Sequence, residues 1–135
     1  MEKRNVWENV PSPLEMHVDT RGKIVDIFFN VNIKHVAIVD TIAGSRRGDH
    51  YHAKSTQHMI MIKGSMEYWF KPLNSEEAPQ CVVMKEGDIV TTRPYEIHTL
   101  RYREAGTFIV FSEGVRGGSN YEKDTIRVTP LNLSD

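Results

Sequence analysis

Six consecutive residues, Arg47-Gly48-Asp49-His50-Tyr51-His52, hold much of the sequence's capacity for chemistry. Two histidines one residue apart on an extended strand project from the same face, because side chains alternate with period two. Gln57 follows on the next strand, where a polar side chain can meet them, and Gly64 closes that strand. A second segment, from Gly87-Asp88 through Arg93-Pro94-Tyr95-Glu96 to His98, brings a third imidazole after a glycine-led strand and a proline turn. Imidazole has an unperturbed pKa of about 6.5, so it can take or return a proton near neutral pH. Three imidazoles and a carboxamide also form a donor set for a divalent ion.

The other histidines read differently. If Gln57 points inward, Met59, Met61 and Lys63 share its face while His58, Ile60 and Ile62 take the opposite one. His58 is thus a packing or surface residue, and His17 a solvated one. His35 lies on an otherwise apolar strand, either as a hydrogen-bonded core histidine or as a wall of the pocket.

Short strands must position these groups. Segments 23–29, 34–40, 57–63, 65–71, 81–84, 88–92, 98–103 and 107–112 are rich in Val, Ile, Tyr, Phe or Met and bounded by turn residues. Regular turns between short strands predict an all-β barrel or sandwich. Lys63-Gly64-Ser65 is the expected tight hairpin, since glycine supplies positive φ. Pro11 and Pro13 argue against regular structure before the first strand. The expectation is one domain over 1–135, with an irregular lead (1–20), a barrel (21–113) and a C-terminal extension (114–135). Within that extension, a glycine-rich bend at 114–120 leads to a last element at 121–128.

The totals narrow the classes. At 135 residues one core can form without staples, and a net charge of −1 gives no general pull toward nucleic acid or anionic membrane. An anion would have to be recognised by a few placed arginines. The single cysteine, Cys81, excludes an intrachain disulfide. There is no signal-peptide pattern and no run of the ~20 apolar residues a spanning helix needs. The expected localisation is cytoplasmic.

Residues 48–64, with glycine, His-x-His, Gln57 and a closing glycine, resemble the first motif of the cupin superfamily; 87–98 resemble the second. That resemblance implies a single-domain cupin jelly-roll β-barrel. Asp19-Thr20-Arg21-Gly22 resembles the opening of nucleotide-sugar 3,5-epimerases and 3,4-ketoisomerases, and Arg47-Gly48-x-His50-x-His52 with Gln57 is similar to the ketoisomerase signature. The tail 121–127 is similar to the ends of such proteins. The family resemblance implies that Arg21 and Arg47 bind a nucleotide diphosphate, often across a homodimer with exchanged N-terminal strands. Arginine suits this role because its planar fork can hold two phosphate oxygens. One departure stands out: ketoisomerases carry a tyrosine on the strand before the Arg-Gly turn, but here it reads Lys34-His35-Val36-Ala37-Ile38-Val39. His35, Tyr51 or Tyr68 is left as a stand-in. Asp49 and Tyr51 also replace a hydrophobic residue and an alanine.

The leading expectation is an isomerase acting on a nucleotide-linked 4-keto-6-deoxy sugar in deoxysugar or polysaccharide biosynthesis. His50 would be the catalytic base and His52 its partner, with Arg21, Arg47, Gln57, His98 and His35 binding substrate and no cofactor required. The alternative is a metallocupin in which His50, His52, Gln57 and His98 hold a divalent metal (Zn, Fe, Ni, Mn or Cu) for isomerase or dioxygenase chemistry. A third possibility is a non-catalytic sugar-binding cupin, with Tyr68 or Trp69 as a stacking surface.

Overall fold

Short segments, most of them rich in β-branched and apolar residues, form twelve strands among the described residues of the computed structural model, which describes residues 1–114 and 123–134. One sheet runs in the order β1 (Glu2–Asn5), β9 (Asp88–Thr92), β6 (Thr56–Lys63), β11 (Gly106–Glu113), β4 (His35–Thr41). The other runs β12 (Thr125–Arg127), β5 (Arg46–His52), β10 (Glu96–Arg101), β7 (Met66–Pro72), β8 (Gln80–Met84). A separate hairpin joins β2 (Met16–Asp19) to β3 (Gly22–Val25). Every described pairing is antiparallel. The architecture is all-β, as the sequence predicts.

The inner faces of the two large sheets meet in one core. Met59, Met61, Val90, Phe108 and Val110 come from the first sheet, and Met66, Tyr68, Met84 and Leu100 from the second. Each such side chain contributes roughly 1.5–3 kcal/mol when fully buried. The phase argued for β6 holds: Gln57, Met59 and Met61 are buried toward this core, whereas Ile60 packs on the outer face with Val6 and Ile89.

Three expectations need correction. The irregular lead contains β1, which pairs with β9, and β2. Glu2-Lys3-Arg4-Asn5 lacks apolar alternation, and the open edge of β9 supplies the register that its own side chains do not. Lys63-Gly64-Ser65 is no hairpin, because β6 and β7 belong to different sheets. Gly64 does have positive φ (78°), but the turn it makes carries the chain across the core. Finally, the C-terminal extension is part of the second sheet, since β12 pairs with β5. The bend expected at 114–120 and residues 121–122 of the last element lie almost wholly outside the described residues. Among the described residues no helix is long and apolar enough to cross a membrane.

Candidate active site

A bulge on β5 aims the paired histidines. His98 opposes His50, yet Thr99 opposes Gly48, so Asp49 is an extra residue on β5. Gly48 and Asp49 take up this irregularity with φ of 101° and 55°. The Asp49 carboxylate accepts hydrogen bonds from the Thr99 hydroxyl (2.8 Å), the Leu131 amide (2.9 Å) and Arg46 (Nη2 2.7 Å, Nε 2.9 Å). Arg46 also donates to the Leu131 carbonyl (2.7 Å), tying the C-terminal segment against the bulge. The aspartate at this position therefore organises the strand and one rim arginine.

Beyond the bulge the three imidazoles converge. Ring centroids lie 4.7 Å apart for His50 and His98, 4.9 Å for His50 and His52, and 5.5 Å for His52 and His98. All three rings are buried. Burial lowers the His98 pKa below 6.5, against the opposing pull of the Glu96 carbonyl and the charges of Glu96 and Asp49. His98 is thus neutral at physiological pH. Behind it the Tyr68 ring lies parallel at 6.0 Å, with its hydroxyl donating to Glu96 Oε1 at 2.8 Å. Asp124 Oδ2 stands 3.9 Å from His52 Nδ1, too far for a hydrogen bond. Asp124 itself is fixed by the Lys54 and Ser55 amides (2.8 and 3.0 Å).

His50, His98 and Gln57 line a cavity of about 440 Å³, within the usual ~300–1,000 Å³ of ligand pockets. Val39, Met59, Leu100, Phe108 and Val110 form its apolar wall, while Arg46, Arg47 and Arg127 complete the lining. The arginines are exposed and the histidines buried, so the cationic residues mark the rim. No carboxylate lines the cavity among the described residues. The chemistry is therefore graded: a cationic mouth, an apolar middle and a polar, imidazole-bearing end.

The remaining predicted residues fall into two groups. His35 shares its inward face with Ala37 and Val39 but is not a lining residue; its Nδ1 is buried with no hydrogen-bond partner among the described residues. Arg21 is not brought to the cavity within one chain. It sits on the β2–β3 turn, exposed and paired with Asp19 (2.7 Å) in a separate surface groove. Both tyrosine stand-ins are withdrawn as well, because Tyr51 packs beside Tyr95 (6.1 Å) and Tyr68 is buried behind His98. Trp69 offers no stacking face to the cavity, for it donates to Glu67 (2.9 Å) and lies under the Arg101 guanidinium. His58 faces outward as expected, between Thr91 (2.8 Å) and Glu113 (2.7 Å). Sequence reasoning missed Asp124 and Arg127, whose only signal was the tail resemblance.

The family described as polysaccharide biosynthesis C-terminal domain matches residues 17–113. The chain belongs to this family. Solved structures resembling this family member include sugar-nucleotide isomerases and epimerases of the jelly-roll fold. One is a 3,4-ketoisomerase from Helicobacter canadensis, 17% identical with a TM-score of 0.71, covering 95% of this chain and 92% of that one. Another is a histidine-to-asparagine variant of a 3,4-ketoisomerase from Thermoanaerobacterium thermosaccharolyticum, in complex with TDP-4-keto-6-deoxyglucose. It is 17% identical with a TM-score of 0.67, covering 87% and 89% of the two chains. A dTDP-4-dehydrorhamnose 3,5-epimerase from Sulfolobus tokodaii is 15% identical with a TM-score of 0.67, covering 93% and 81%. These likenesses establish the jelly-roll fold of the family member. No curated protein sequence matches the chain.

Proposed function

We propose that the chain is an isomerase of a nucleotide-linked 4-keto-6-deoxy sugar, transferring a proton by imidazole acid–base chemistry. The observation that carries this reading is the cavity itself, which joins a three-arginine rim to buried His50 through an apolar wall. Arg47 and Arg127 hold the diphosphate at the mouth, with Arg46 fixed beside them by Asp49. The apolar wall accommodates the sugar's deoxy carbon. His50 removes the C3 proton, which the C4 ketone has acidified. His52, whose ring centroid lies 4.9 Å from that of His50, is its partner and orienter. Return of the proton at C4 moves the ketone, whereas return at C3 on the opposite face inverts that centre.

A homodimer fits the same reading. Val36 and Ile38 of edge strand β4, and Val18 and Ile24 of the hairpin, are exposed apolar residues that a second copy would cover. Arg21 would then meet a phosphate only in a partner's mouth. The proposed setting is cytoplasmic.

The test is deuterium uptake at C3 or C4 of dTDP-4-keto-6-deoxyglucose in D2O, read by NMR. Wild-type protein is expected to exchange, and His50→Ala to lose at least ~10²-fold in rate while keeping its unfolding transition. Failure to exchange with several nucleotide-linked keto sugars would remove the isomerase reading.

One observation favours a second reading. Ligand atoms of His50, His52 and His98 all lie within 4.8 Å of one another, a cluster that fits a divalent metal. These residues with Gln57 would hold the ion, which would polarise a substrate oxygen as a Lewis acid. Gln57 brings no neutralising charge, so the set is weaker than one with glutamate. Stoichiometric metal by elemental analysis, lost in His98→Ala, would put this reading first.

A further inference from the structure

One cross-strand row of the sheet opposite the histidines carries buried polar atoms that the fold leaves unused. Gln57 Nε2, Ser112 Oγ and His35 Nδ1 have no hydrogen-bond partner among the described residues. Ser112 is in register with Gln57 on one side and His35 on the other. Directly opposed Cβ atoms in such pairs lie roughly 4.5–5.5 Å apart, so Gln57 and Ser112 can reach a common atom. Their exposures are 4% and 0%. Gln57 lines the cavity beside His50; Ser112 is the next inward residue of β11 after Val110, which also lines it. Buried donors are almost always paired, so an amide N–H on a cavity-lining residue and a hydroxyl on the residue directly beside it, just behind the lining, are left for a group that enters there. Nε2 can only donate, and a serine hydroxyl can do so.

Resting on the isomerase reading, we propose that Gln57 Nε2 and Ser112 Oγ form an oxyanion hole for the substrate's C4 oxygen. When His50 takes the C3 proton, the C–H electron pair becomes the C3–C4 π bond, and the C4=O π pair moves onto oxygen. Two donors in a buried wall stabilise that negative oxygen, while the base occupies the facing sheet. In the ketoisomerase branch the C3 hydroxyl then gives up its proton, its O–H pair forms the C3 carbonyl, and the π pair takes a proton at C4. The proton lost from O3 balances the one that O4 gains. The same two donors serve epimerisation, because the intermediate is common to both routes.

The experiment measures kcat and KM for deuterium uptake at C3 or C4 by wild-type, Gln57→Ala, Gln57→Glu, Ser112→Ala and Ser112→Thr proteins. Loss of one oxyanion donor lowers kcat by about 10²–10³-fold, and this is the effect expected for Gln57→Ala, with KM changed less than about threefold. Gln57→Glu is expected to be slower still at pH 8, because a carboxylate cannot donate and repels the developing charge. Ser112→Ala should fall in the same way, and Ser112→Thr, which keeps the hydroxyl, should recover most of the rate. The proposal is overturned if Gln57→Ala and Ser112→Ala keep kcat within about threefold, or if their losses lie wholly in KM. Should Ser112→Ala fail to fold, the comparison of Gln57→Ala with Gln57→Glu decides. Absence of uptake by the wild-type protein would sink the isomerase reading and this inference with it, whereas wild-type rates of uptake in both alanine variants sink the oxyanion hole alone.

Discussion

Gly48 is where the site depends most directly on a single residue's backbone. At φ 101°, a Cβ there would stand 2.6 Å from the His98 carbonyl oxygen and 3.0 Å from the Thr99 Cα. Both obstacles are backbone atoms of the paired strand, so neither can rotate away. Gly48→Ala therefore combines left-handed strain of roughly 1–3 kcal/mol with displacement of the strand that carries His98. The expected result is a lower urea midpoint of unfolding together with reduced turnover. A variant of unchanged stability would show that the bulge is not as tight as described. The role of Gly48 was legible in its place between Arg47 and His50, but the need for a bulge was not. An extra residue on one strand is a property of the pair, and β10 lies almost fifty residues further along the chain.

At the scale of elements, strands rich in apolar and β-branched residues, such as β6, β9 and β11, were readable from composition and the turn residues that bound them. Strands whose reason lies in a neighbour were not. The polar β1 exists because β9 has a free edge, and β12 because β5 does. The sheet switch at Gly64 was hidden for a related reason: positive φ fixes the shape of a turn but not the partners of the strands that leave it. Edge strand β4 raises a further expectation, for an exposed edge bearing apolar side chains invites association. Ile38 is 71% exposed and points away from the core. Analytical ultracentrifugation at tens of micromolar is expected to show a dimer, and Ile38→Lys to shift it toward monomer with little change in monomer stability. A wild-type monomer under those conditions would refute the dimer.

At the scale of the whole molecule, the convergence of three histidines from two strands, facing a glutamine on the opposite sheet, was legible from spacing and phase. Arg127 and Asp124 were not, because a tail gains meaning only when it returns to the sheet. Buried His98 also contributes to the molecule's pH response. Burial depresses the His98 pKa, so below its ordinary value of 6.5 the unfolded chain binds a proton that the native protein refuses. Stability must therefore fall as pH drops from 6.5 toward the native pKa, and His98→Asn should flatten that dependence in urea titrations between pH 7 and 5.5. The opposite case does not intrude on this window. Burial would raise the Glu67 pKa, but hydrogen bonds from Arg103, Trp69 and Arg101 prevail and hold it at about 2, so its contribution is lost only below its ordinary 4.5.

The walls of the cavity belong to two sheets held together across the core largely by side-chain packing, with Met61, Met66 and Met84 in the seam behind the lining residues. Thioether chains are supple fillers, so the gap between His50 and Gln57 is governed by the volume of remote hydrophobes more than by rigid main-chain ladders. A reaction that needs sub-ångström alignment would thus be tuned from a distance, by trimming or lengthening a methionine that touches neither sugar nor proton.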